Sequence, residues 1–171
     1  MTTNDGKLPE LIIDHALQSD IEGILALQAE NQPEHGGTLS ANFSFSKVAT
    51  MMSEMPLIVA RRGNRIAGFL MASSRMMNAD VPIIKAMLNA YEGSADAYVY
   101  GPVCISAEDR GKGLAKAMFE ELKRSLPTRE GILFIRRDNQ ASLRAHSKMG
   151  MSEVAECEFE GKELAVLSFI G

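Results

Sequence analysis

The clearest chemical signal in the sequence is a short basic stretch, Arg110-Gly111-Lys112-Gly113-Leu114-Ala115. It joins an apolar run typical of a strand, residues 99–105, to an amphipathic run typical of a helix, residues 114–126. Glycines let a backbone approach a ligand closely, and the first N–H groups of a helix have no partner within it. The helix dipole, Arg110 and Lys112 add positive charge at the same point. The stretch therefore predicts a phosphate-binding site at the start of a helix.

The spacing of the glycines restricts which phosphate ligand can bind. A nucleotide-hydrolysing P-loop requires Ser or Thr after Gly-Lys, but here Gly113 follows Lys112. The dinucleotide fingerprint requires three glycines, whereas this stretch contains only Gly111 and Gly113. A basic helix start that binds nothing is an open alternative, because glycine-rich turns are common.

The rest of the chain alternates between the patterns of strands and helices. Two hairpins are predicted, one turning at Gly63-Asn64 and the other at residues 160–162. A capping box formed by Ser19 and Glu22 predicts the start of the first helix. The predicted strands are residues 11–16, 57–61, 66–72, 99–105, 132–135, 151–159 and 164–169. Further helices are predicted at residues 46–54, 81–91, 114–126 and 139–150.

These segments together resemble the GNAT superfamily of acyl-CoA-dependent N-acyltransferases. The family signature is Arg or Gln, two residues, Gly, one residue, and then Gly or Ala, which Arg110, Gly113 and Ala115 match. A second family feature is an Asn that opens a helix closing at a Gly, matched by Asn139 and Gly150. The resemblance implies a single α/β domain with a mixed, mostly antiparallel central sheet flanked by helices.

The resemblance also implies that acetyl-CoA is the cosubstrate. Its pyrophosphate would bind the backbone N–H groups of residues 110–115, and its pantetheine arm would bind the strand edge formed by Val103, Cys104 and Ile105. Asn139 either bonds the far end of that arm or caps its own helix. Cys104 is a candidate acyl carrier, although a strand thiol more often packs in the core.

The sequence indicates the residues for proton transfer less clearly than the residues that bind acetyl-CoA. The family usually has a Tyr four residues before the closing Gly, the usual proton donor to the coenzyme A thiolate, and this chain has His146 there. An imidazole also donates protons, so His146 is the candidate general acid, with a packing role as the alternative. Glu34, in a loop that borders the acceptor site in chains resembling this family, is the candidate base. Tyr98 and Tyr100 either guide the proton or pack.

A helical segment at about residues 75–95 departs from the family pattern, in which the hairpin passes quickly into the central strand. Its apolar residues recur with helical spacing between Val81 and Tyr91. The segment is a candidate for one wall of the acceptor pocket or for a homodimer contact, and an ordinary packing helix is the alternative.

Length and composition agree with one globular domain spanning residues 1–171, since 46% of residues are hydrophobic and 23% are charged. The net charge of -4 argues against nucleic acid or an anionic membrane as a partner. The two cysteines and three histidines lack the spacing of a disulfide framework or a metal site, so we predict no metal. Met1–Asp5 lacks the features of a signal peptide, and we expect the cytoplasm.

Three functions follow from these observations. The first is an N-acetyltransferase that moves an acetyl group from acetyl-CoA to a primary amine of a small molecule or a protein. The second is a catalytically silent acyl-CoA-binding or regulatory domain, because His146 stands where the family has Tyr. The third is a structural or dimeric module in which the glycine turn binds nothing.

Overall fold

A computed structural model describes residues 6, 9–37, 39 and 41–171 of the chain. Met1–Asp5, where the sequence predicts no signal peptide, lies outside the described residues. The strands are β1 Leu11–His15, β2 Ile58–Arg62, β3 Arg65–Ser73, β4 Tyr98–Ile105, β5 Glu130–Arg136, β6 Ser152–Phe159 and β7 Lys162–Ile170. The helices are α1 Ile21–Glu30, α2 Phe45–Glu54, α3 Pro82–Ala90, α4 Leu114–Ser125 and α5 Gln140–Lys148.

The seven strands form one sheet in the order β1-β2-β3-β4-β5-β7-β6. Only β4 and β5 run parallel, and every other neighbouring pair is antiparallel. The predicted fold class, a mixed and mostly antiparallel sheet flanked by helices, is confirmed. Both predicted hairpins are present as β2–β3 and β6–β7.

Helices cover both faces of the sheet, as the apolar periodicity requires. Apolar residues of α4, including Leu114, Met118 and Leu122, pack with Tyr98 and Tyr100 of β4 in one core cluster, which α5 joins. On the opposite face α1 and α2 form a second cluster and α3 a third. In the part of the chain that is described, no helix combines the length and apolarity needed to cross a membrane.

The start of the first helix differs from the prediction. A 3-10 turn, Gln18–Asp20, precedes α1, and the carboxylate of Asp20 accepts a hydrogen bond from the N–H of Leu17 at 2.7 Å. Asp20 also binds the guanidinium of Arg61 at 2.7 Å. The predicted capping box of Ser19 and Glu22 is therefore wrong. A buried carboxylate paired with arginine is a stronger acceptor than a serine hydroxyl, and it places the cap at Leu17, two residues before Ser19.

The sheet opens in its middle, between the two parallel strands. β4 pairs with β5 only at Tyr98–Gly131 and Val99–Ile132, after which the two strands separate. On its other side β4 stays paired with β3, with a register shift where Gly101 and Pro102 oppose a single residue. Such a bulge bends a strand and resets its alternation. The end of β4 therefore has one paired edge and one open edge.

The carboxylate of Glu130, at the start of β5, joins the chain that follows α3 to the sheet. It accepts hydrogen bonds from the Tyr91 hydroxyl at 2.7 Å and the Ser94 N–H at 2.6 Å, and a third from the Ser168 hydroxyl. Burial raises the pKa of Glu130, but these donors outweigh burial and hold the pKa below its ordinary 4.5. The charged carboxylate thus fixes the position of α3.

Replacing Glu130 with Gln is expected to lower the free energy of unfolding at neutral pH by about 1–3 kcal/mol, because three donors lose a charged acceptor. Since folding depresses this pKa, the stabilisation is complete above pH 4.5 and is lost as the pH falls through the folded value. Urea unfolding across this pH range measures both effects. The exposed Glu92 in the same segment provides the control variant, Glu92→Gln, and equal losses in the two variants would contradict this role.

Candidate active site

The predicted phosphate-binding stretch forms a turn between the end of β4 and the start of α4. Gly111 and Gly113 adopt φ angles of +74° and +80°, a left-handed conformation that favours glycine. A Cβ atom placed on either glycine would meet no protein atom within 4 Å. Backbone conformation therefore favours glycine here, and the space in front of the turn is open.

The main-chain donors of this turn have no hydrogen-bond partner among the described residues. The first hydrogen bond of α4 runs from the N–H of Ala117 to the carbonyl of Gly113 at 3.1 Å. The N–H groups of residues 110–116 donate to no other group of the described chain. A group of N–H donors at the start of a twelve-residue helix favours an anion.

Asp109 holds the base of the turn. Its side chain is 2% exposed and accepts hydrogen bonds from Arg65 at 2.8 Å and Arg62 at 3.2 Å, and another from the Ser106 hydroxyl. Burial raises the pKa of Asp109, but Ser106 and the two guanidinium groups outweigh burial and lower it to about 2. The carboxylate is therefore charged and balanced by arginine, so it does not repel an anion at the turn.

The two basic side chains of the turn differ in their surroundings. Arg110 Nε donates to the carbonyl of Ile105 at 3.3 Å, and its terminal nitrogen donates to Asn31 at the end of α1. Lys112 is exposed and forms no ion pair with any described residue. Lys112, rather than Arg110, thus supplies the mobile positive charge that the sequence predicted for both.

Main-chain groups on the open edge of β4 alternate in direction. The N–H of Ser106 donates to Ala67 of β3 at 2.8 Å, so the backbone of Cys104, two residues earlier, also faces β3. The backbones of Val103 and Ile105 consequently face the gap that β5 leaves. The Cys104 thiol is buried on the α1 side and lies 3.8 Å from the Leu27 carbonyl, and burial raises its pKa to about 12. Cys104 therefore has a packing role.

A cavity of about 390 Å³ occupies the gap between β4 and β5. On one side it is lined by His146 and Ser142 of α5, and on the other by residues of α2 and of the segment around α3. Because these helices lie on opposite faces of the sheet, the cavity crosses the sheet through the gap. The segment at about residues 75–95 thus forms one wall of the cavity, through Met77, Asn78, Val81, Ile83 and Ile84. That it is an insertion relative to the family stays a prediction.

His146 lies in this cavity and its hydrogen bonds define its protonation. Nδ1 is 2.8 Å from the carbonyl oxygen of Ser142, which can only accept, so Nδ1 carries a hydrogen. Burial lowers the pKa of His146 below the ordinary 6.5, and the ring is neutral at pH 7. Nε2 is then an unprotonated acceptor. The general-acid role predicted for His146 would require a proton delivered to Nε2 first.

Tyr100 of β4 completes a buried pair with His146. Its hydroxyl lies 3.2 Å from His146 Nε2, and the two rings meet edge to face with centroids 5.7 Å apart. Burial raises the pKa of Tyr100, so its hydroxyl keeps its proton and donates it to Nε2. From the sequence, Tyr98 and Tyr100 had the same two possible roles, guiding the proton or packing. Both rings pack edge to face against Phe169, but of the two tyrosines Tyr100 lines the cavity and Tyr98 does not.

Two other predicted site residues lie elsewhere. Asn139 caps α5, with its side-chain oxygen accepting the Ser142 N–H at 3.2 Å. Glu34 is exposed on a 3-10 turn, Pro33–His35, and is not part of the cavity lining. No carboxylate of the described residues lines the cavity, and the same residues hold no cluster suited to a metal ion.

An open strand edge, a turn of free N–H groups at its end and a cavity with a neutral His–Tyr pair fit the binding of an acyl-CoA and the transfer of its acyl group. The chain belongs to the Acetyltransferase (GNAT) family, whose profile matches residues 21–151. It is an acyl-CoA-dependent N-acetyltransferase, and its cosubstrate is acetyl-CoA. The resemblance inferred from sequence is thereby confirmed. A search of curated protein sequences finds no significant match.

Solved structures share the fold at low identity. A GNAT-family acetyltransferase from Streptococcus agalactiae superposes with a TM-score of 0.71 at 14% identity, over 96% of this chain and 98% of that one. The Salmonella typhimurium protein yncA, solved with its cofactor acetyl-CoA, gives 0.68 at 14% identity, over 94% of each chain. A ribosomal-protein-alanine N-acetyltransferase from Brucella melitensis gives 0.64 at 20% identity, over 94% of this chain and 99% of that one.

The pKa of His146 is expected to lie below 6.5, because burial disfavours the imidazolium and no carboxylate lines the cavity. A pH titration of imidazole nitrogen shifts by NMR measures this pKa and identifies the nitrogen that carries the hydrogen. His146→Gln assigns the signal by its disappearance. A pKa above 6.5, or a hydrogen on Nε2 in the neutral ring, would contradict the assigned protonation.

Proposed function

We propose that the protein transfers the acetyl group of acetyl-CoA to a primary amine bound in the cavity between β4 and β5. The observation that carries this proposal is that the glycine turn, the open edge of β4 and the cavity follow one another without interruption. The free N–H groups of residues 110–116 lie at the end of the open β4 edge, and that edge leads to the His146–Tyr100 pair.

In the proposed complex, residues 110–115 hold the pyrophosphate through their N–H groups, with Lys112 adding charge. The main chain of Val103 and Ile105 hydrogen-bonds the amides of the pantetheine arm, as a strand edge binds an extended peptide. The thioester then reaches the cavity beside Val103, whose N–H faces the gap. That N–H is the candidate donor to the oxygen of the tetrahedral intermediate.

The proton route follows from the protonation of the dyad formed by Tyr100 and His146. The neutral amine attacks the thioester carbon, and its nitrogen becomes positively charged in the tetrahedral intermediate. The nitrogen gives one proton to the Tyr100 hydroxyl oxygen, and Tyr100 gives its own proton to His146 Nε2. The C–S bond then breaks, Tyr100 donates its proton to the coenzyme A thiolate, and Tyr100 takes a proton back from His146 Nε2. His146 therefore acts first as a base and then as an acid, and no separate carboxylate is required.

The free thiols of Cys104 and Cys157 fit a reducing compartment. The cytoplasm is accordingly part of this proposal.

Gly113→Asp is expected to weaken acetyl-CoA binding about tenfold or more, because a carboxylate a few ångströms from the pyrophosphate repels it by about 1–4 kcal/mol. Gly161→Asp is the matched control, since Gly161 has a φ of +78° and equally open surroundings in the β6–β7 turn. Calorimetry with acetyl-CoA measures both. Unchanged affinity in Gly113→Asp, or equal weakening in the two variants, would overturn the assignment of the turn.

His146→Gln and Tyr100→Phe are each expected to lower kcat by about 10²-fold or more, with little change in acetyl-CoA affinity, because each interrupts the proton route. In the wild type, protonation of Nε2 lowers kcat/KM as the pH falls through the pKa of His146, which burial holds below 6.5, and His146→Gln lacks this additional loss. Thiol release with an amine substrate measures the rates. The exposed His15 supplies the control, His15→Gln. Wild-type turnover in both dyad variants would make the pair a packing contact.

A further inference from the structure

Among the described residues that line the cavity between β4 and β5, one carries a formal charge. Apolar side chains from four parts of the fold form most of its lining, among them Leu39, Phe43, Met51, Ile83, Ile84 and Phe134. His146 is neutral and Tyr100 keeps its proton. The remaining ionisable group is the ammonium of Lys47 on α2, which lies on the side opposite α5.

Helix α2 gives no reason for a lysine at this position. Lys47 follows the N-cap Ser44 by three residues, within the first helical turn, where the helix dipole disfavours a cation. No acidic residue occupies that turn, and Lys47 forms no ion pair with a described residue. The ammonium of Lys47 is half-buried beside an apolar surface and has no ion-pair partner among the described residues. An anion that enters the cavity would stabilise it through a charge-assisted hydrogen bond.

The lining also excludes one class of acceptor. No carboxylate among the described residues faces the cavity, so a second ammonium group on the acceptor would find no opposite charge. It would meet Lys47 or apolar side chains instead. Polyamines and amino sugars with several ammonium groups are therefore poorly matched to this site.

We propose that the acceptor is a small amino-carboxylate with an apolar body, whose carboxylate binds Lys47 while its amine faces the Tyr100–His146 pair. This inference rests on the proposed function and names the substrate class of the same site. Leu39, Phe43 and the residues of α3 hold the apolar body, and Met51 and Met77 adapt to its shape. The size of the cavity, about 390 Å³, is that of a small-molecule site.

The first experiment compares pairs of amines that differ only in the carboxylate. Leucine is compared with 3-methylbutylamine and phenylalanine with 2-phenylethylamine, and spermidine represents the polycations. With acetyl-CoA as donor, each amino-carboxylate is expected to exceed its decarboxylated partner by about 10- to 100-fold in kcat/KM calculated on the concentration of neutral amine, the effect of one charge-assisted hydrogen bond. Spermidine is expected to be the poorest acceptor.

The second experiment removes the ammonium. Lys47→Gln is expected to raise KM for leucine or phenylalanine about tenfold or more and to leave KM for the decarboxylated amines and acetyl-CoA affinity unchanged. Lys85→Gln is the control, because Lys85 is exposed on α3, which forms one wall of the cavity, and does not line it. A KM that rises for the amino-carboxylates and not for the decarboxylated amines indicates a lost carboxylate contact. A loss of stability would affect every substrate alike.

The outcomes separate this inference from the proposed function. Thiol release with the plain amines at rates equal to or above those of the amino-carboxylates overturns the substrate class and leaves the acetyltransferase proposal intact. Preference for a longer acyl-CoA, with no discrimination among amines, also overturns it, because the apolar lining would then hold the acyl chain. Absence of acetyl-CoA binding by the folded protein overturns the proposed function and this inference together.

Discussion

The separation of β4 from β5 after two residue pairs is the constraint on which the rest of the site depends. Parallel neighbours ordinarily share hydrogen bonds along their length, and buried main-chain groups without partners are costly. Here the unpaired groups are concentrated along one strand edge and at the start of the helix that follows it. The fold thereby keeps a continuous line of polar main-chain groups available to a ligand.

Several contacts distant from the reacting atoms maintain this opening. The bulge at Gly101 and Pro102 keeps β4 paired with β3 while it bends away from β5. Asp109 anchors the turn through two arginines. Glu130 fastens the chain after α3 through three donors, so that the apolar wall of the cavity keeps its place. Buried carboxylates on both sides of the gap are thus fully hydrogen-bonded and charged, and none is directed into the cavity.

Much of the fold could be predicted from local patterns, because each strand and helix has its own periodicity and its own turn signals. The glycine turn was predictable for the same reason, since left-handed φ angles at Gly111 and Gly113 follow from a local sequence. Contacts between distant residues were not predictable. The pairing of Asp20 with Arg61 displaced the expected cap, and Asn31 holds the guanidinium expected to face phosphate. The Tyr100–His146 pair joins a strand to a helix 46 residues later.

The protonation of His146 was also not predictable from local sequence patterns. Its position in the sequence indicated a group that transfers protons, but the direction of transfer depends on the Ser142 carbonyl and on burial. Lys47 gave no signal at all in the sequence, because a lysine in a surface helix is ordinary. Only the cavity distinguishes it from the other lysines.

The passage of the cavity through the sheet has a kinetic consequence. In the proposed complex the pantetheine arm lies along β4 from the α4 side and the acceptor lies beside α2 and α3, so the two reactants occupy different parts of one cavity. Neither reactant has to leave before the other arrives, and the only cysteine near the gap, Cys104, turns its thiol away into the core. Initial-rate plots should accordingly intersect, as in a sequential reaction through a ternary complex, rather than run parallel as in a ping-pong reaction.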